Sequence, residues 1–202
     1  MDIVVYVHGK GGSAEEAQHY RKIFPAAKVL GLDYKTFTPW ETGNEIREIV
    51  RDLYKKHDNV LLIANSIGAL FSMYGGLDAY VKQAFFISPV VDMEKLILDM
   101  MQWAQVTEGE LEEKGVIHTE FGEDLSWEYL SYVRTHPIVW TVPTQILYGS
   151  RDDLTTLETI SGFAEKHNAA LTVMEGGEHW FHTGEQMRFL DEWITRERLI
   201  KD

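Results

Sequence analysis

Residues 60–76 read VLLIANSIGALFSMYGG. An apolar run of strand length, Val60 to Ala64, is interrupted by Asn65-Ser66 and resumes as Ile67-Gly68-Ala69-Leu70-Phe71. Two small polar residues inside a buried run need a reason. A strand that ends at Asn65 and a helix that opens at Ile67 leave Ser66 on a very sharp turn. Such a turn strains the serine backbone and demands small residues two positions away on each side. Those positions hold Ala64 and Gly68. The turn lifts the serine clear of the sheet at the start of a helix, where developing negative charge is favoured. Open α/β sheets place their sites at this edge, the carboxyl ends of the strands.

The surrounding chain fits that frame. Runs at 3–9, 27–34, 59–66, 83–90, 144–150 and 170–176 are short and nearly continuously apolar. That is the signature of parallel strands buried on both faces. Helix-like segments alternate with them, which predicts an α/β fold: a mostly parallel sheet of about six strands with helices on both faces. Ser13 with Glu16, Thr42 with Glu45, Thr155 with Glu158 and Thr183 with Gln186 are spaced as capping boxes. Within 43–57, Ile46, Ile49, Val50, Leu53 and Tyr54 form one apolar stripe. Residues at about 91–142 break the rhythm. They read as a helix over 92–105, a turn or short hairpin over 115–126 and a helix over 127–136, stopped by Pro137. This is expected to be a cap insertion in a single domain spanning 1–202, packed over the strand ends because both flanking strands deliver the chain there.

Composition sets limits. The 202 residues are 45% hydrophobic and 25% charged, enough for one sizeable core. A net charge of −13 repels polyanions, so neither nucleic acid nor an anionic membrane is an expected partner. Without cysteine there is no disulfide, thiolate nucleophile or thiolate-bound metal. No basic leader precedes the first apolar run and no segment has membrane-spanning length, which predicts a cytoplasmic protein.

Two further loops bear on Ser66. YGSRDDLT (148–155) follows a strand and offers Asp152 and Asp153. GGEHWFH (176–182) follows the last strand and offers His179 and His182. A Ser, an Asp and a His, in that order and each after a strand, resemble the α/β-hydrolase superfamily, specifically its small cofactor-free serine hydrolases. The resemblance runs from YVHGKGG to GGEHWFH, with the insertion between AFFIS and TQILYG. The chain departs from the family in its first Gly of Gly-x-Ser-x-Gly, which is Ala64, and at its start. The family often has two more N-terminal strands, whereas here the first strand already ends in the His-Gly, so a smaller sheet with an intact site is expected.

The resemblance implies Ser66 as nucleophile and His179, from the family's Gly-x-His, as general base. Its Gly-x-x-Asp selects Asp152 over Asp153 as the acid that orients the imidazole. It also implies an oxyanion hole from the backbone N–H groups of Lys10, in HGKGG, and Ile67. His182 is expected at the rim or in a structural role. His19, His57 and His167 are expected in solvent; His118 and His136 are candidates to line a pocket. HGKGGS lacks the spacing of a phosphate-binding loop. No histidine pair has metal-ligand spacing with a third ligand, so neither metal nor cofactor is expected. Met93, Met100, Met101, Trp103, Trp127, Tyr129 and Tyr132 could wall an acyl pocket or pack the insertion. The leading reading within that reaction class is hydrolysis of small carboxylic esters. The insertion expected over Ser66 and the acidic surface, not the resemblance, lead to the expectation of short-chain, neutral ones. Thioester, amide or C–C bond cleavage on the same triad, and a non-catalytic binding role, remain open.

Overall fold

In the computed structural model, residues 1–199 are described. Six parallel strands form one sheet: β1 (Ile3–Val7), β2 (Lys28–Gly31), β3 (Val60–Asn65), β4 (Gln83–Ile87), β7 (Thr144–Gly149) and β8 (Ala170–Met174). Their order is β2-β1-β3-β4-β7-β8. Each lies within a run read as a strand from the sequence. Alternate residues Val4, Tyr6, Leu61, Ile63, Phe85 and Leu147 join one core with Tyr20, Leu190 and Trp193. Their neighbours Val5, Leu62, Phe86 and Ile146 are buried as well. Helices cover both faces, which is why the runs show no polar alternation.

The first crossover carries a 3-10 segment, Ala14–Lys22, headed by the expected Ser13–Glu16 box. Helix α1 (Pro39–Tyr54) starts earlier than the sequence suggested. Thr38 caps it and Pro39 fills the first turn, where a missing N–H costs nothing; Thr42 lies inside the helix and is fully buried. Helix α2 (Ile67–Tyr74) follows Ser66 directly. Helix α6 (Leu157–Lys166) is capped by Thr156, one residue beyond the expected Thr155. Helix α7 (Gly184–Glu197) begins with the expected Thr183–Gln186 box. Among the described residues no helix is long and apolar enough to cross a membrane.

The chain divides into two compact units: residues 1–91 with the chain from Val139 onward, and Asp92–Ile138. The second contains α3 (Met93–Trp103), α4 (Glu108–Lys114), an antiparallel hairpin of β5 (Val116–His118) and β6 (Asp124–Ser126), and α5 (Trp127–Thr135). Leu111 from α4, Leu125 from β6, and Leu130 and Val133 from α5 are among its buried apolar residues. Arg134 ties its helices together, with Nε donating to Glu94 (2.7 Å) and the terminal nitrogens donating to both oxygens of Glu108 (2.7 and 2.8 Å).

The premise that both flanking strands open at the same edge is wrong. β4 and β7 are parallel, so β4 delivers the chain to the carboxyl edge and the chain must re-enter at the amino edge. There Thr141 N–H donates to Asp78 Oδ1 (2.6 Å) and Ala84 N–H donates to Pro143 O (2.9 Å). The segment therefore also performs the crossover between the two strands.

Candidate active site

Ser66 sits at the turn between β3 and α2 with φ 52° and ψ −121°, a backbone that side-chain-bearing residues avoid. Packing enforces the turn. A Cβ on Gly68 would lie 2.5 Å from the His8 carbonyl oxygen and 2.7 Å from that of Val7, so only glycine fits there. Ala64, on the other side, is fully buried. The small residues demanded by the sequence are thus explained by the end of β1 crossing beneath the start of α2.

Three side chains from three loops meet in a line. Ser66 Oγ lies 2.9 Å from His179 Nε2, and His179 Nδ1 lies 2.7 Å from Asp152 Oδ2. The Asp152 side chain is fully buried, while that of His179 is 20% exposed. The other carboxylate oxygen of Asp152, Oδ1, accepts the N–H groups of Leu154 (2.9 Å) and Thr155 (3.0 Å). A carboxylate so surrounded by donors accepts from Nδ1–H. The proton on Nδ1 leaves Nε2 bare, and the bare nitrogen accepts the Ser66 hydroxyl. Asp153 is exposed at the surface of the same turn.

The loops bearing Asp152 and His179 are stitched to each other. Arg151 N–H donates to Gly177 O (2.8 Å), Ser150 N–H to Met174 O (3.0 Å), and Gly176 N–H to Ser150 Oγ (2.8 Å). Gly149 permits the contact: a Cβ there would fall 2.4 Å from the Gly177 carbonyl carbon and oxygen. Tyr148, buried at the end of β7, donates its hydroxyl to Thr155 O (2.8 Å). Burial, and then the charge of Asp152, raise the Tyr148 phenol above its ordinary pKa, so it remains a donor.

The HGKGG loop passes against the serine. A Cβ on Gly9 would stand 3.2 Å from Ser66 Cβ, and Gly12 N–H closes a turn onto Gly9 O (3.2 Å). Lys10 lies in that turn. Ile67 is the first residue of α2, where a backbone N–H has no partner within the helix. His8 is buried, with its ring stacked on Tyr34 at 4.3 Å and Nδ1 2.8 Å from Gly9 O. The Tyr34 hydroxyl donates to His8 O (2.8 Å). Tyr34 and Tyr148 carried no signal in the sequence beyond being apolar positions near strand ends.

The remaining histidines lie elsewhere. His182 is exposed and stacks on Trp180 at 4.3 Å. His19 is not solvated as expected; its Nε2 pairs with Asp191 (2.6 Å), which also holds Lys22. His167 is half-buried, with Nδ1 3.0 Å from Trp140 O. His57 is half-buried, with Nδ1 3.0 Å from Met1 O. In the second unit His118 pairs with Asp124 and His136 stacks on Tyr132. Among the described residues no group of three or more His, Asp and Glu side chains is arranged to hold a metal ion.

No family model matches the sequence, and no curated protein matches it. Solved structures do match its fold. Est1E from Butyrivibrio proteoclasticus is 18% identical, with a TM-score of 0.74 over 96% of this chain and 86% of that one; a second structure of Est1E contains bound ferulic acid. Alpha/beta hydrolase domain-containing protein 10 from mouse is 15% identical, with a TM-score of 0.77 over 96% and 88%. The RedJ thioesterase of the prodiginine pathway in Streptomyces coelicolor is 13% identical, with a TM-score of 0.62 over 98% and 90%.

Proposed function

We propose that this chain, which has the α/β-hydrolase fold, is a serine hydrolase that cleaves small carboxylic esters through an acyl-enzyme. The observation that carries the reading is the line Asp152–His179–Ser66, with contacts of 2.7 and 2.9 Å and a bare Nε2 facing the hydroxyl. In this reading Ser66 Oγ attacks the ester carbonyl carbon as Nε2 takes its proton. The imidazolium is stabilised by Asp152, whose carboxylate accepts two backbone N–H groups on one oxygen and faces the ring Nδ1 with the other. The carbonyl oxygen gains charge and receives the N–H groups of Ile67 and Lys10. Collapse expels the alcohol, which leaves with the proton from Nε2. Water then enters, gives a proton to Nε2 and attacks the acyl carbon, and the proton returns to Ser66 as the acid departs. Every step is a proton or acyl transfer, so the residues named complete the cycle.

A net charge of −13 supports neutral over polyanionic substrates. The test is hydrolysis of p-nitrophenyl acetate beside the matched thioester and anilide. The ester should turn over fastest, and Ser66→Ala should lower kcat on the order of 10⁶-fold, to the limit of detection. An unchanged rate in Ser66→Ala would end the reading. A faster thioester would keep the nucleophile and change the substrate class.

A further inference from the structure

The backbone of Ser66 is gripped by the segment that leaves β4. Ser66 N–H donates to Ile87 O (3.0 Å), and Val90 N–H donates to Ser66 O (3.1 Å). Between those two residues the chain turns at Ser88, which has φ 43°. Ser88 is fully buried, and among the described residues nothing pairs with its Oγ. Its own N–H donates to Leu147 O (2.8 Å) on β7.

This residue is unfavourable on two counts. A side-chain-bearing residue in left-handed backbone is strained. A buried hydroxyl without a partner gives up the hydrogen bonds it would make to water. Neither is relieved by a side-chain cap or turn. What the conformation does accomplish is geometric. The β3–β4 register ends at Asn65 opposite Ile87, so Ser66 and Ser88 are the next residues of the two strands. Both turn left-handed, at 52° and 43°. The turn at Ser88 is what lets Ile87 O and Val90 N–H reach the two polar groups of the Ser66 main chain.

We propose that Ser88 is a positioning residue for Ser66, acting through its left-handed backbone and not through its hydroxyl. The proposal rests on the reading of Ser66 as nucleophile. A shift of the Ile87–Val90 segment would carry the Ser66 backbone with it and move Oγ relative to Nε2.

Four variants test it. Ser88→Gly tolerates the conformation without strain, and Ser88→Ala removes only the hydroxyl; both should keep kcat within about threefold of wild type. Ser88→Val and Ser88→Thr add a branched Cβ that resists this backbone. Each should lower kcat on the order of 10²-fold with KM within about threefold, as a displaced nucleophile requires. Amide hydrogen exchange gives a readout independent of catalysis. In the branched variants the Ser66 and Val90 amides should exchange at least about tenfold faster, while Leu62 and Ile63 within β3 keep their protection. A folded Val or Thr variant with wild-type kcat and wild-type exchange at both amides would overturn the proposal. So would a tenfold loss of kcat in Ser88→Ala, a variant small enough to decide the matter where a branched one does not fold. Fluorophosphonate labelling of the wild type separates the two ideas. An unlabelled Ser66 removes the nucleophile reading, while the exchange result still reports whether Ser88 holds the loop.

Discussion

Adding one methyl group at Gly149 should separate a folded protein from a working one. The Cβ of Gly149→Ala would lie 2.4 Å from both the carbon and the oxygen of the Gly177 carbonyl, and 2.8 Å from Glu178 O. These are backbone atoms, so no side chain can swing aside. Reaching an ordinary contact of about 3.5 Å requires the two loops to part by about 1 Å. Asp152 lies three residues beyond Gly149, and His179 two beyond Gly177. Such a parting would stretch the 2.7 Å bond between them beyond hydrogen-bonding length. It would also strain the bond from Arg151 N–H to Gly177 O. Overpacking of this size costs about 1–3 kcal/mol, which a domain of this length withstands, while a misplacement of about 1 Å costs on the order of 10² in rate. The assay is kcat on p-nitrophenyl acetate beside a calorimetric melting curve. The expected result is a fall in kcat on the order of 10²-fold with a single cooperative transition retained. A folded Gly149→Ala protein with kcat within threefold of wild type would refute the claim that this close approach aligns Asp152 with His179.

Other substitutions probe the remaining contacts. Asp152→Asn should lower kcat on the order of 10⁴-fold by disturbing the imidazole tautomer, whereas Asp153→Asn, exposed and outside the line, should leave kcat near wild type; steady-state kinetics of both variants decide this. Tyr148→Phe leaves the Thr155 carbonyl without its donor and should destabilise the fold by about 1–3 kcal/mol in urea unfolding, with a smaller loss of kcat than Asp152→Asn. In the second unit, the bonds from Arg134 hold the Glu108 carboxyl below its ordinary pKa. A depressed folded pKa gives stability that is present above the unfolded value, about 4.3, and is lost as pH falls through the folded value. The difference in melting temperature between wild type and Arg134→Met should therefore shrink as pH is lowered from 6 toward 3; a constant difference would mean that the ion pair contributes nothing.

The parts of this molecule legible in the sequence are those where packing permits few residue types. Ala64-Asn-Ser-Ile-Gly68 announced its turn because the end of β1 leaves no room for a side chain at position 68. The strands were legible because burial on both faces forbids polar residues along them. Helix starts were less so. A threonine three residues before a glutamate occurs at 42 and at 155, yet Pro39 fixes an earlier start for α1 and Thr156 caps α6 one residue later. Helix α4 went unseen because EGELEEK buries only Leu111 and shows no apolar stripe. The path of residues 92–138 was within reach of the parallel reading. A chain that leaves one parallel strand at the carboxyl edge re-enters its parallel neighbour at the amino edge, so an insertion flanked by two strand ends at one edge conflicts with that reading. Ser88 gives no sign at all, since serine does not encode a left-handed backbone; the neighbours of a strand end do.

The central claim is that Ser66 is an activated nucleophile. The direct measurement is labelling of the native protein with a fluorophosphonate, with the modified residue located by mass spectrometry. An ordinary serine hydroxyl does not react; one whose proton passes to a neighbouring imidazole does. The expected result is one phosphonyl group per chain, on Ser66, abolished in both Ser66→Ala and His179→Ala. A native protein that stays unlabelled, or is labelled at another residue with Ser66 intact, would contradict the account.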